Sequence, residues 1–153
     1  MHRTVLNVGA PVFLALVLGL SSPVVRVACA QEDAENSRSA ESMAIQAALS
    51  WLHLVDAGRY TRSWEEAAPL FQNAVTREQW KLSLEAVRSP LGACMQRQVK
   101  TATYATVLPG APDGEYVVIQ FDTAFADKAR AVETVTPART PDGVWRVSGY
   151  YIR

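Results

Sequence analysis

The hydrophobic period of this chain changes once, at Gly92, and that change restricts it to folds that segregate helices from strands. Before Gly92, apolar residues recur at three- and four-residue spacings, the pattern of amphipathic helices; after it they alternate every second residue, the pattern of half-buried strands. Ala44, Ala47, Ala48, Trp51, Leu52 and Val55 form the first stripe, on a helix starting near Ala40. Ser39 can cap it, Glu41 suits its first turn, and Gly58 can close it with a left-handed residue. Ser63-Trp64-Glu65-Glu66 fits a capping box and predicts a short second helix to about Phe71, limited by Pro69. Thr76-Arg77-Glu78-Gln79 repeats the device and precedes the stripe Trp80, Leu84 and Val87 of a third helix, which must stop before Pro90.

In the second half, Val99, Thr101, Thr103, Ala105 and Val107 are expected on one side of a strand, with Gln98, Lys100 and Thr106 on the other. A long turn over Pro109 to Gly114 leads to a second strand whose apolar side is Val117, Ile119, Phe121, Thr123 and Phe125. Ala126-Asp127 and Pro141-Asp142-Gly143 then turn the chain into strands over Lys128 to Thr136 and Val144 to Ile152. Short turns between consecutive strands imply antiparallel pairing. The expected fold class is α+β: three N-terminal helices packed on a four-stranded antiparallel twisted sheet, wrapped into a cone.

The first thirty residues belong to neither pattern. Met1-His2-Arg3 is a positive start, Val8 to Leu20 an uncharged apolar run, and Ala28-Cys29-Ala30 a small-x-small cleavage site, together the marks of an export signal over residues 1–30. Ser21, Ser22, Pro23 and Arg26 interrupt the run before it reaches the roughly 20 apolar residues of a membrane span. The expectation is a periplasmic or secreted protein cleaved near Ala30, with no transmembrane span in its mature part, a flexible polar lead-in over residues 31–39 and a single domain over 40–153. Lipid anchoring at Cys29 is disfavoured, because Arg26 holds the position three before it, where lipoprotein signals place an aliphatic residue.

Composition narrows the function classes. The 153 residues carry 15 basic and 15 acidic side chains; Arg3 and Arg26 fall in the leader, so the remainder is slightly acidic. No nucleic-acid partner is expected, since phosphates demand a concentrated basic face. Cleavage would leave Cys94 as the one cysteine, which rules out an internal disulfide and marks it as a buried or half-buried residue. His53 would be the one histidine, and its place opposite the Ala44-Ala48-Trp51-Val55 stripe turns it to water. The chain contains no zinc, nucleotide or serine-hydrolase motif. The sequence therefore assigns no catalytic, cofactor-binding or metal site, and no cofactor.

Two candidates remain. Glu133 alternates with Ala129, Ala131 and Val135 on a strand face that could point inward. It would be either the base of an isomerase-like or cyclase-like site, served by a tyrosine such as Tyr104, Tyr116, Tyr150 or Tyr151, or the structural partner of Arg97, Arg130 or Arg146. Trp51, Trp64, Trp80 and Trp145 could line an aromatic pocket, although Trp51 and Trp80 lie on the inward stripes of their helices and are read as core.

Several spaced segments carry a family likeness: Trp51-Leu52-x-Leu54-Val55-Asp56-Ala57-Gly58-x-Tyr60, Trp64-x-x-Ala67-Ala68, Glu78-Gln79-Trp80, Arg88-x-Pro90-Leu91-Gly92, Pro109-Gly110-x-Pro112-Asp113-Gly114-Glu115-Tyr116 and Gly143-x-Trp145-x-Val147-x-Gly149-Tyr150. In their order they resemble the bacterial domain of unknown function numbered 4019 (DUF4019), over about residues 42–153. The resemblance implies an exported or cell-envelope domain and transfers no catalytic residue. More loosely, the element order and the Gly143-Val144-Trp145-Arg146-Val147 ending look like the cone-shaped nuclear-transport-factor-2-like (NTF2-like) class, which holds both enzymes and binding domains. The expected role is a non-catalytic module that binds a small ligand or an envelope protein through the cone mouth or the exposed sheet face, with self-association into a homodimer. The alternatives are the isomerase-like or cyclase-like enzyme and a purely structural envelope component.

Overall fold

A computed structural model describes residues 24–153, with side chains from residue 31 onward. The expected export signal over residues 1–30 and Cys29 lie outside these described residues, apart from the backbone of 24–30. Four α-helices precede four strands: α1 (Val24–Asp56), α2 (Tyr60–Glu65), α3 (Pro69–Ala74), α4 (Arg77–Arg88), a 3-10 turn (Ser89–Leu91), then β1 (Cys94–Ala105), β2 (Tyr116–Phe125), β3 (Lys128–Arg139) and β4 (Trp145–Ile152). The strands pair antiparallel in the order β1-β2-β3-β4. The α+β class and the meander are as the periodicity predicts.

α1 buries Ala44, Ala48, Trp51, Leu52 and Val55 against Val117, Ile119, Phe121, Val135 and Val147 of the sheet. It ends at Gly58, whose φ of +69° closes the last turn. Its N-terminal half departs from expectation: residues 31–39 are helical rather than a flexible lead-in. They are exposed apart from a half-buried Ser37, and Ser37 Oγ donates to the Asp33 carbonyl while Arg38 pairs with Glu35. No apolar stripe is needed here, because extending a helix already anchored by packing adds one hydrogen bond per residue without a new nucleation cost.

The expected second helix is in fact two. Ser63 does not cap; it lies buried inside α2, where its hydroxyl donates to the Tyr60 carbonyl and accepts from Trp80 Nε1 at 3.0 Å, while its carbonyl accepts from Trp51 Nε1 at 2.7 Å. Pro69 begins α3 instead of ending a helix, since its missing N–H is no loss at the first position and Ala68 before it is extended. The Thr76–Gln79 capping box is formed as expected, with Gln79 N–H donating to Thr76 Oγ1 at 3.2 Å and Thr76 N–H to Gln79 Oε1 at 3.1 Å.

On β2 the alternation holds, burying Val117, Ile119, Phe121, Thr123 and Phe125. β1 differs: register shifts at Cys94/Gln96 and Val99/Thr101 insert bulges, each of which moves the following residues to the other face. Thr101 and Thr103 are consequently exposed, and Ala102 and Tyr104 pack on the core. β3 also runs on to Arg139, beyond Thr136, and β4 begins at Trp145 rather than Val144. Each edge strand has a backbone group occupied, which hinders pairing with a further strand: Tyr104 N–H on β1 donates to Glu41 Oε1, and the Val147 carbonyl on β4 accepts from Ala68 N–H.

Candidate functional site

The interior divides along the length of the sheet. Toward the middle, Trp51, Trp80, Phe71 and Tyr150 form an aromatic cluster with ring centroids 4.8–6.1 Å apart, the tilted and edge-on spacings that aromatic quadrupoles favour. Toward the β2–β3 turn, the same layer holds charge. Trp80 and Leu84 face inward from α4, and the next residue at helical spacing on that stripe is Arg88, which is buried while Val87 is exposed. The third-helix stripe expected to end in Val87 thus ends in a cation.

Arg88 Nη2 donates to Asp56 Oδ1 at 2.5 Å, and its guanidinium carbon lies 4.3 Å from the centre of the Phe125 ring. Arg97, on β1, bridges two acids: Nη1 donates to Asp56 Oδ2 at 2.7 Å and Nε to Glu133 Oε2 at 2.6 Å. Glu133, fully buried on β3, also accepts from Thr123 Oγ1 and from Tyr150 OH, each at 2.7 Å, and its Oε1 lies 3.9 Å from Arg88 Nη1. Two guanidinium groups thus face two carboxylates, contributed by α1, α4, β1 and β3, with hydroxyls from β2 and β4. Balance is required here, because an unpaired charge at this depth would cost several kcal/mol.

The surroundings shift the titrations accordingly. Burial opposes the Arg97 charge, but its hydrogen bonds to Asp56 and Glu133 prevail and raise its pKa above the ordinary arginine value. Burial first, then the Glu133 charge and hydrogen bond, push the Tyr150 phenol above the usual tyrosine range. Burial also raises the half-buried Cys94 thiol, against the influence of Arg97.

This arrangement decides between the two readings of Glu133. An isomerase-type base needs a carboxylate facing a cavity and a separate tyrosine for the developing oxyanion. Tyr150 is within reach, but its hydroxyl donates to Glu133 itself, and Arg97 occupies the other carboxylate oxygen. Glu133 is therefore the partner of Arg97, with Arg130 and Arg146 placed elsewhere: Arg146 pairs with Asp142, and Arg130 lines a groove on the outer face of the sheet. The pocket carboxylate expected of an isomerase or cyclase is corrected to a closed ion pair.

The other sequence candidates separate. Trp51 and Trp80 are core, Trp64 donates its Nε1 hydrogen to the Val75 carbonyl with Arg77 over its ring, and Trp145 is buried at the far end of the sheet. His53 is exposed on α1. Tyr116 donates to the Pro112 carbonyl, whereas Tyr151 is exposed. The sequence reading missed Asp56, Arg88 and Thr123. Arg88 was signalled by its spacing of four from Leu84, Asp56 only by its place at a helix end.

Of the surface cavities, one meets this cluster only at Thr123 and another lies apart from it. A groove of about 500 Å³ on the open sheet face is bounded by Gln98, Lys100, Arg130 and Arg153, and a cavity of about 410 Å³ lies between α1 and the opposite end of the sheet. Among the described residues, no group of three or more histidine, cysteine or acidic side chains could hold a metal, and no helix is long and apolar enough to cross a membrane.

Helices on one face of a four-stranded antiparallel meander, joined to it by an internal charge cluster in which Arg88 Nε and Nη1 lack hydrogen-bond acceptors, define an α+β domain. The chain belongs to the family described as "Protein of unknown function (DUF4019)", whose model matches residues 47–150 and so spans every member of the cluster. No curated protein and no solved structure matches the chain, and the looser cone-fold likeness has no structural neighbour behind it.

Proposed function

We propose that this chain is an exported, non-catalytic binding domain that takes a small anionic ligand in the groove on the open face of its sheet. The carrying observation is a contrast of charge. The buried arginines are both committed to carboxylates, whereas Arg130 and Arg153 line the groove and form no ion pair among the described residues. Lys100 adds a third cation, paired with the groove's acid Asp122 at 3.0 Å. Ala124 and Val132 contribute apolar surface to the groove, so a ligand with an acidic head and an apolar body fits it. The export part rests on Met1-His2-Arg3, the apolar run and the Ala28-Cys29-Ala30 site.

Native mass spectrometry of the protein purified from its own host envelope tests both parts. The expected result is a chain beginning at Gln31 that carries a bound species, which is lost from the Arg130→Glu, Arg153→Glu double variant. A chain retaining Met1 would overturn export. A bare dimer whose interface covers the groove would replace the ligand with a second copy, and a bare monomer would leave a structural envelope role.

A further inference from the structure

The cavity at the other end of the sheet has a different chemistry. Its α1 wall carries Asp33, Asn36 and Ser37; its sheet wall carries Tyr104, Glu115, Arg139 and Trp145. The sheet-wall groups are held in place. Arg139 Nη1 donates to both oxygens of Glu115 at 3.0 and 3.3 Å, and Tyr104 OH donates to the same carboxylate at 3.2 Å. Trp145 is 7 % exposed, and its indole Nε1–H is buried without an acceptor among the described residues. A buried donor left unpaired costs about 1–3 kcal/mol, so a ligand oxygen that reached it would recover a deficit built into the fold.

We propose that this cavity binds a neutral polyhydroxylated ligand, a pyranose of a mono- or disaccharide. Carboxylates accept hydroxyl protons, while guanidinium and amide N–H groups donate to hydroxyl oxygens, and residues of both kinds line this cavity. Two aromatic residues supply the apolar ring surface that the C–H face of a pyranose needs. Glu115 and Arg139 neutralise each other, so the net charge of the lining is the single one of Asp33, on the exposed helix wall where water screens it. The volume of about 410 Å³ lies within the usual range of small-molecule sites.

The test is titration of the full chain with glucose, N-acetylglucosamine and cellobiose, followed by the indole N–H resonances of the four tryptophans, the Trp145 signal being assigned by its absence from Trp145→Phe. The expected result is a saturable shift of the Trp145 resonance and a loss of affinity of about tenfold in Trp145→Phe, as for one hydrogen bond. Asn36→Ala, a change on the exposed helix wall that leaves the core intact, is expected to weaken binding as well. The Arg130→Glu, Arg153→Glu variant should bind the sugars as the wild type does, which keeps this site independent of the sheet-face groove. No saturable shift with any neutral sugar, a preference for the cation glucosamine, or unchanged affinity in both Trp145→Phe and Asn36→Ala would overturn the proposal.

Discussion

The molecule contains the same trio of groups twice. In the interior, Glu133 is held by Arg97 and Thr123; on the hairpin between β3 and β4, Asp142 is held by Arg146 and Thr140. Both carboxylates accept from a guanidinium and from a threonine hydroxyl, at 2.6 and 2.7 Å inside and 2.8 and 2.5 Å outside. What differs is water. Glu133 is fully buried, whereas half of the Asp142 side chain remains accessible. The inner trio must be closed by further partners, Asp56, Arg88 and Tyr150, before its burial is tolerable, while the outer one is complete in itself. The same three kinds of group can therefore organise a whole fold or merely steady a turn, depending on the surrounding dielectric.

The strongest way to break this contrast is to remove one inner partner. Glu133→Ala leaves two buried guanidinium groups with Asp56 alone and is expected to lower the unfolding free energy by about 3–5 kcal/mol, read as a shift of the urea midpoint at unchanged slope. A loss under about 1 kcal/mol would put the inner trio in the same energetic class as an exposed pair. Replacing both partners, Arg97→Met with Glu133→Leu, retains the Asp56–Arg88 pair and restores balance. It should lie closer to the wild type than Glu133→Ala does, and the double-mutant coupling measures how much of the single loss came from stranded charge.

Tyr150 joins the charged and aromatic halves, and Tyr150→Phe separates them. The ring stays against Trp51 and Trp80, but the bond to Glu133 is lost, with an expected cost of about 1.5–3 kcal/mol for a hydrogen bond to a charged group and little change in near-ultraviolet circular dichroism. The phenol pKa is raised in the folded state. Its contribution is therefore fully present below the ordinary tyrosine range and is lost as pH rises beyond it. The stability gap between wild type and Tyr150→Phe should narrow in alkali, and a gap that widened there would contradict the burial of the hydroxyl.

How much of this was legible follows from which residues obey a simple period. β2 does, and its five inward residues could be read directly because no bulge interrupts it. β1 does not, since two bulges re-aim its side chains and nothing in the run from Cys94 to Thr101 announces them. The DUF4019 likeness was legible from spaced motifs and is matched over residues 47–150. Glu133 was recognised as inward and Arg97 as a candidate partner, because both lie on one sheet, where a long arginine on β1 reaches across β2 to an acid on β3. Asp56 and Arg88 escaped because a charged residue at a helix end ordinarily marks the return to solvent. Only tertiary closure buries Arg88, against an Asp56 that itself stays partly exposed.

The outer trio supplies the smallest effect and the sharpest control. Hydrogen bonds from Arg146 and then Thr140 hold the Asp142 carboxyl below its ordinary pKa, so its contribution is present above the usual carboxylate range and fades as pH falls through it. Asp142→Asn should therefore melt slightly below the wild type at neutral pH, with the two curves converging in acid. Because the pair is exposed, added salt should close the same gap at neutral pH. The deficit of Glu133→Ala should persist at that salt concentration, since Glu133 is fully buried and buried pairs are screened much less than exposed ones. If salt removed both deficits equally, the inner trio would be in contact with water and burial would no longer distinguish the two sites.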